Sequence, residues 1–376
     1  MQIDYNLVGL GYIGKIHLMA MNNFNLLNLP IKSNIIKNQL VTRDPVKRLE
    51  AAQLLGFEKT VDVESWEIDS NKAQLIDICS PNINHKDLVI EAIEKNIHVY
   101  CEKPLSMNGE ETREILNRHK KSKSRIQICY IMRYIPAFAK ARAAIKNNVI
   151  GDISSFRIEY YHSSYLNPDK PYAWRLDEKI SGGGALYDLG SHAFDVLQFL
   201  IEPIKEVMCF TDTIVKERKD SEGNYKKVTV DDWALTHVHT VNDIKGTVEV
   251  SRIAVGDDGI RVRIYGTEGS LMINVNNNPI DVMYYDYLGN NIHLDEKYYT
   301  DDSYYKHLLK FYPTPKMSQG FFLDAHTASL ASFIYQIENN TNIEGVPSIN
   351  QCKNLEAILT ACKKSSISKY FENIDI

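Results

Sequence analysis

Leu7-Val8-Gly9-Leu10-Gly11-Tyr12-Ile13-Gly14 ends an apolar run that begins at Tyr5 and opens a segment with helical spacing from Ile13. In a G-x-G-x-x-G turn the first glycine permits the tight turn and the second lets backbone approach a pyrophosphate. The third lets helix and strand pack closely, and the helix N-terminus is left to receive negative charge. Taken alone the pattern is weak, because glycine turns of ordinary α/β units share it. Its place at the end of the first strand favours a dinucleotide on Gly9, Gly11, Tyr12, Ile13 and Gly14.

Downstream, short apolar runs alternate with amphipathic stretches. Strands are expected over 39–42, 73–79, 98–101 and 126–130, and helices over 45–55, 85–96 and 109–120. Alternation of this kind implies right-handed crossovers and a parallel sheet covered on both faces, a doubly wound α/β domain. After a helix over 136–147 the texture changes. Runs at 153–161, 207–215, 233–240, 245–253, 259–265, 270–275 and 281–287 are joined by turns such as Gly266-Thr267-Glu268-Gly269. They favour a largely antiparallel sheet with one wetter face, hence a second, α+β domain. Helical spacing returns at 321–337 and 350–365, and the charged run 216–227 reads as a solvated hairpin tip. The boundary is placed after residue 128, giving domains 1–128 and 129–376.

Size and composition agree. A chain of 376 residues and 43.0 kDa is about two and a half times a ~150-residue domain. With 43 Lys plus Arg against 48 Asp plus Glu, the net charge of −5 offers no basic excess for nucleic acid. No apolar run is long enough to span a membrane, and the N-terminus lacks a basic leader, so a cytoplasmic protein is expected. The six cysteines are scattered singly without a C-x-x-C pair, which disfavours zinc ribbons and disulfide scaffolds. His237 and His239 alternate along a strand, but no nearby acid or thiol completes a ligand set, so no metal and no metal-dependent hydrolase is expected.

Three further stretches carry chemistry. The second strand ends Val41-Thr42-Arg43-Asp44, with Thr42 where an acidic residue would hold the adenosine ribose diol. Arg43 can meet a 2′-phosphate, whereas Asp44 can cap the next helix or reach the ribose, so NADP is favoured over NAD. Ser80-Pro81-Asn82 with His85, and Glu102-Lys103-Pro104, each follow a parallel strand and so reach the carboxyl edge where open sheets bind ligands. Glu102 beside Lys103 suggests local charge balance. Finally, Gly182-Gly183-Gly184 opens a helix running to about Leu200 in which Asp188 and His192 stand at i and i+4. That spacing sets a carboxylate beside an imidazole able to accept an alcohol proton. The triple glycine suggests a close approach of backbone to ligand.

Together, the Gly9/Gly11/Gly14 turn, Glu102-Lys103-Pro104 and the Gly182–His192 segment resemble the Gfo/Idh/MocA oxidoreductases, over roughly the whole chain. The resemblance implies an N-terminal Rossmann domain and a C-terminal domain with a large, mostly antiparallel open sheet. It implies hydride transfer between NAD(P) and a sugar, sugar derivative or cyclitol, with Lys103, Asp188 and His192 catalytic. Arg133 is placed at the pocket by the resemblance, and Tyr161, Trp174 and Arg175 offer faces and hydroxyls suited to a sugar. A non-catalytic regulator binding the same ligands is the alternative. A homodimer or homotetramer is expected, because apolar residues on the open sheet, such as Val248, Val250, Ile260, Val262 and Ile264, need cover.

Overall fold

Alternation in the first third of the chain produces a six-stranded sheet in which every neighbouring pair is parallel. Its strands are β1 (Gln2–Val8), β2 (Asn34–Thr42), β3 (Lys59–Asp62), β4 (Leu75–Ile78), β5 (His98–Cys101) and β6 (Ile126–Ile128). A computed structural model, which describes residues 1–69 and 73–374, defines these elements. The order is β3-β2-β1-β4-β5-β6, so the winding direction reverses between β1 and β4. The carboxyl ends of those two strands therefore flank the crevice of a doubly wound sheet. Strands covered on both faces read as continuous apolar runs, and Leu7, Leu75, Ile76, Val99 and Tyr100 are fully buried.

The chain divides into two compact units. The first comprises Met1–Ser106, Glu111–Tyr134 and His307–Lys353; the second comprises Met107–Glu110, Ile135–Lys306 and Asn354–Ile376. This departs from the expected split after residue 128, because a late segment returns to the first unit. Its helix Phe321–Asn339 packs on helix Tyr12–Leu26. Asn23 Nδ2 donates to Thr327 Oγ1 (3.1 Å), Tyr100 OH to Ser329 Oγ (2.8 Å) and Gln127 Nε2 to the Ser329 carbonyl (3.0 Å). A periodic pattern reports that a helix has an apolar side, not which sheet that side covers.

The second unit holds a nine-stranded sheet and a separate hairpin. Its strands, in chain order, are β7 (Ile153–Tyr161), β8 (Ile204–Asp212), β9 (Glu217–Lys219), β10 (Tyr225–Lys227), β11 (Trp233–Thr240) and β12 (Lys245–Ser251). They continue with β13 (Gly259–Gly266), β14 (Gly269–Asn274), β15 (Met283–Asp286), β16 (Asn291–Ile292) and β17 (Glu372–Asn373). The sheet order is β16-β15-β14-β13-β7-β12-β11-β8-β17, antiparallel apart from the β12–β7 pair, and β9 with β10 forms the hairpin within the charged run.

Val248, Val250, Ile260, Val262 and Ile264 are each about 1% exposed, so the residues expected to need a partner's cover already lie in this unit's own core. The alternate positions carry charge instead. Arg263 Nη1 donates to Glu159 Oε2 (2.7 Å) and Trp233 Nε1 to Glu249 Oε1 (2.8 Å), beside Arg157 and Arg261. The apolar argument for an oligomer therefore falls. His239 Nδ1 lies 2.8 Å from Glu206 Oε1, an acid brought across from β8 that spacing along the chain does not reveal.

Candidate functional site

In the first unit the glycine turn has the geometry its sequence promises. Gly9 adopts φ +98°, and a Cβ there would lie 2.8 Å from the Cys79 carbonyl oxygen. A Cβ at Gly14 would lie 2.2 Å from the Gly9 carbonyl oxygen, so strand and helix meet with no room for a side chain. At Gly11, by contrast, a Cβ meets nothing within 4 Å. Gly11 is the N-cap of helix Tyr12–Leu26, whose first turn has no acidic residue and no side-chain cap. Its amides and positive dipole end face open space, which suits a pyrophosphate. Next to it, Ser80 Oγ is buried with no hydrogen-bond partner among the described residues. An open cradle beside an orphaned hydroxyl fits a dinucleotide.

At the end of β2, Thr42 is half-buried and Arg43 exposed. Asp44 Oδ1 accepts the Lys47 amide (3.1 Å), which makes Asp44 the N-cap of helix Pro45–Leu54.

The loops after β4 and β5 are joined by His85. Its Nδ1 lies 2.7 Å from the Pro104 carbonyl and its Nε2 3.0 Å from the Ser80 carbonyl, and the residue is fully buried. Burial pushes this imidazole below its ordinary pKa despite those carbonyls. His85, expected at the cofactor, clamps these two loops together; Pro81 and Asn82 stay half-buried at their edge.

Glu102 also turns inward. Its Oε1 lies 3.1 Å from His17 Nε2, and its Oε2 accepts the Lys103 amide (3.1 Å). On the other side of the ring, His17 Nδ1 lies 2.9 Å from Asp77 Oδ1, while Asp77 Oδ2 accepts from Tyr5 OH (2.7 Å). Burial opposes charge on His17, yet the charge and hydrogen bond of Asp77, with Cys79 and Cys129 adding to them, together hold the imidazole well above its usual range. Burial likewise opposes ionisation of Glu102, and the hydrogen bond and charge of His17 hold it well below the carboxylate range. The charge that Glu102 balances is thus chiefly that of His17, with Lys103 a smaller contributor. Sequence reading missed both His17 and Asp77. Their signal was an aspartate inside the apolar run Leu75–Cys79 and a histidine three residues after Gly14.

Arg133, expected at the pocket, is 2% exposed, and its Nη1 donates to the Gly345 carbonyl (3.1 Å) within the first unit. It ties a neighbouring loop. Lys103 is half-buried beside the Glu102 carboxylate.

In the second unit the expected regular helix begins as a π turn over Leu186–Gly190 and becomes α-helical over Ser191–Leu200. Asp188 lies in the wide turn and His192 in the first α turn, so ideal i,i+4 geometry does not apply. π turns of this kind concentrate at functional sites because they re-aim side chains. The turn is set by Asp231, which sequence reading also missed. Its Oδ1 accepts the Gly184 amide (2.9 Å), its Oδ2 the Leu186 amide (2.7 Å), and its carbonyl the Ala185 amide (3.0 Å). A Cβ at Gly184 would lie 1.8 Å from the Asp231 carbonyl oxygen, and Cβ atoms at Gly182 and Gly183 would strike the Tyr187 ring. The three glycines thus serve internal packing, where an approach to ligand was expected.

His192 is 8% exposed and meets Tyr160 edge-on at 6.2 Å between ring centroids. Burial, with the nearby charge of Asp188, raises the Tyr160 phenol. Arg175 stacks over Trp174 at 4.4 Å, both half-buried, and Tyr161 is half-buried at the end of β7.

Residues 3–130 match the model of an oxidoreductase family with an NAD-binding Rossmann fold, and residues 138–272 match a GFO/IDH/MocA C-terminal domain. Levoglucosan dehydrogenase of Pseudarthrobacter phenanthrenivorans is 30% identical over 286 residues, covering 72% of this chain and 73% of that protein. Myo-inositol 2-dehydrogenase of Thermotoga maritima is 26% identical over 265 residues, covering 70% and 73%. Among solved structures, levoglucosan dehydrogenase with NADH superimposes with a TM-score of 0.88 at 25% identity, covering 100% of both chains.

Proposed function

The chain belongs to the Gfo/Idh/MocA family of oxidoreductases, and from that premise we propose that it transfers hydride between NAD(P) and a CH–OH carbon of a sugar, sugar derivative or cyclitol. The observation that carries the redox half is the open, uncapped helix start at Gly11 beside the orphaned Ser80 hydroxyl. A nicotinamide dinucleotide held by Gly9, Gly11, Tyr12, Ile13 and Gly14, with Thr42, Arg43 and Ser80 to Asn82, supplies the hydride acceptor.

The chain's own work is proton handling and orientation. Lys103 donates a hydrogen bond to the carbinol oxygen and favours its developing negative charge. A ring nitrogen of His192 takes the hydroxyl proton as the carbonyl forms, and Asp188 orients the imidazole and balances its charge. Tyr160 shields His192 from water on one side. Trp174, Arg175 and Tyr161 offer stacking and hydrogen-bonding faces to the ring and hydroxyls of the substrate. Glu102 and His85 act through Lys103, by holding its loop.

The test is reduction of NAD and of NADP by levoglucosan, the inositols, glucose and glucose 6-phosphate, with cofactor binding followed separately. Turnover of at least one sugar or cyclitol is expected. Binding without turnover throughout would favour the non-catalytic regulator, and no nicotinamide binding would overturn the reading.

For the cofactor we favour NADP, since Arg43 is exposed beside a neutral Thr42 while Asp44 is engaged as a cap. Arg43→Ala should shift the NADP to NAD ratio of kcat/KM toward NAD by about tenfold or more, the worth of one charge-assisted phosphate contact. An unchanged ratio removes Arg43 from phosphate recognition. We further propose a homodimer or homotetramer joined through the charged sheet face. Light scattering should then give a mass above 43.0 kDa that falls at high salt; a single-chain mass in dilute buffer contradicts it.

A further inference from the structure

Behind the glycine turn, inside the first unit, four buried side chains from distant parts of the chain converge: His17, Glu102, Cys129 and His326. One donor atom from each lies within 4.8 Å of the other three. His17 Nε2 is 3.1 Å from Glu102 Oε1 and 3.6 Å from Cys129 Sγ, and Cys129 Sγ is 3.6 Å from His326 Nδ1. Zinc binds nitrogen and oxygen at about 2.0–2.2 Å and sulfur at about 2.3 Å, so a tetrahedral site spaces N from O by about 3.3 Å and N from S by about 3.6 Å. Those are close to the separations here. We propose that His17, Glu102, Cys129 and His326 form a closed, four-coordinate structural site for a divalent ion of the zinc type.

Two features beyond spacing support it. His17 Nδ1 is held by Asp77 Oδ1 at 2.9 Å, the outer carboxylate that metal-bound histidines commonly carry to fix the ring and its tautomer. Moreover, hydrogen bonding leaves one ring nitrogen of His326 unaccounted for. Its Nε2 is buried with no partner among the described residues, and its Nδ1 lies 3.6 Å from Cys129 Sγ, within 4.8 Å of the other donor atoms of the cluster. An imidazole, thiolate and carboxylate set suits zinc over magnesium or calcium. Binding releases the Sγ proton of Cys129, so the ion meets one thiolate and one carboxylate beside two imidazoles. The two anionic ligands match the charge of a dication in this buried site. With four protein ligands no position is open to substrate, and the ion's role is to join helix Tyr12–Leu26, the β5 and β6 loops and helix Phe321–Asn339.

The experiment uses the full chain expressed with zinc or with cobalt in the medium and purified without chelator. Elemental analysis should find about one zinc per chain. The cobalt form should show intense visible bands of four-coordinate cobalt and a thiolate-to-cobalt charge-transfer band. Cys129→Ser should abolish the charge-transfer band, and His326→Leu should lower metal content at least tenfold, with circular dichroism used to confirm that each variant is folded. The cobalt spectrum of the unmodified chain decides the matter even if both variants misfold. A chain purified essentially free of both metals, a six-coordinate cobalt spectrum, or a folded Cys129→Ser protein with an unchanged spectrum would each overturn the proposal.

Discussion

In the metal-free protein, replacing His17 by leucine should destabilise the fold by about 3–5 kcal/mol, because it leaves the Asp77 and Glu102 carboxylates buried without their shared imidazole. The magnitude follows from asymmetry. A buried ion pair contributes little net stability when complete, but the survivor of a broken pair keeps its full desolvation cost. Urea unfolding should show a lower midpoint at unchanged slope, and a shift worth under about 1 kcal/mol would refute the ionic reading of this network.

The pH dependence has a definite sign. Glu102 is held below its ordinary value of 4.5, so its contribution is present above that pH and lost as pH falls through the lower folded value. His17 is held above its ordinary 6.5, so its contribution is present below that pH and lost as pH rises through the higher folded value. The stability gap between wild type and His17→Leu should therefore be widest between about pH 4.5 and 6.5 and narrow on both sides.

Lys103→Met and His192→Ala should each lower kcat by about a hundredfold or more, the scale of a lost general acid–base or polarising group, while nicotinamide binding is kept. Removal of an imidazole that accepts the alcohol proton should also flatten the limb of the pH–rate profile that reports its titration. Asp188→Asn should displace that limb, because the ring loses the charge that favours its protonated form. Turnover like that of wild type in either of the first two variants, or an unmoved profile in the third, would remove the residue concerned from the mechanism.

Much of this protein is written locally. Strand and helix alternation, the Gly9–Gly14 turn, the charged hairpin at β9 and β10, and the helix ending at Leu200 follow from spacing and turn chemistry, which act over a few residues and leave a readable period. What stayed hidden depends on partners far along the chain. His17 meets an aspartate 60 positions away and a glutamate 85 away, and Asp231 closes a turn 47 positions before it. Each of these residues, read singly, is a polar side chain in an apolar or loop context. The same limit governed burial. Alternation at Val248, Val250, Ile260, Val262 and Ile264 correctly reported that one face is apolar, but whether that face meets the chain's own core or a second copy is not a property of the strand. Nor does the period of helix Phe321–Asn339 say which sheet it covers. The sequence by itself therefore determined most of the longer elements, the cofactor turn and the family, but not the short strands β3, β16 and β17. Tertiary structure alone decided which faces meet, that Arg133 and His85 tie loops together, and that the triple glycine makes room for Tyr187 and Asp231. The reason is that packing energy is shared between surfaces, and a sequence pattern records one surface at a time.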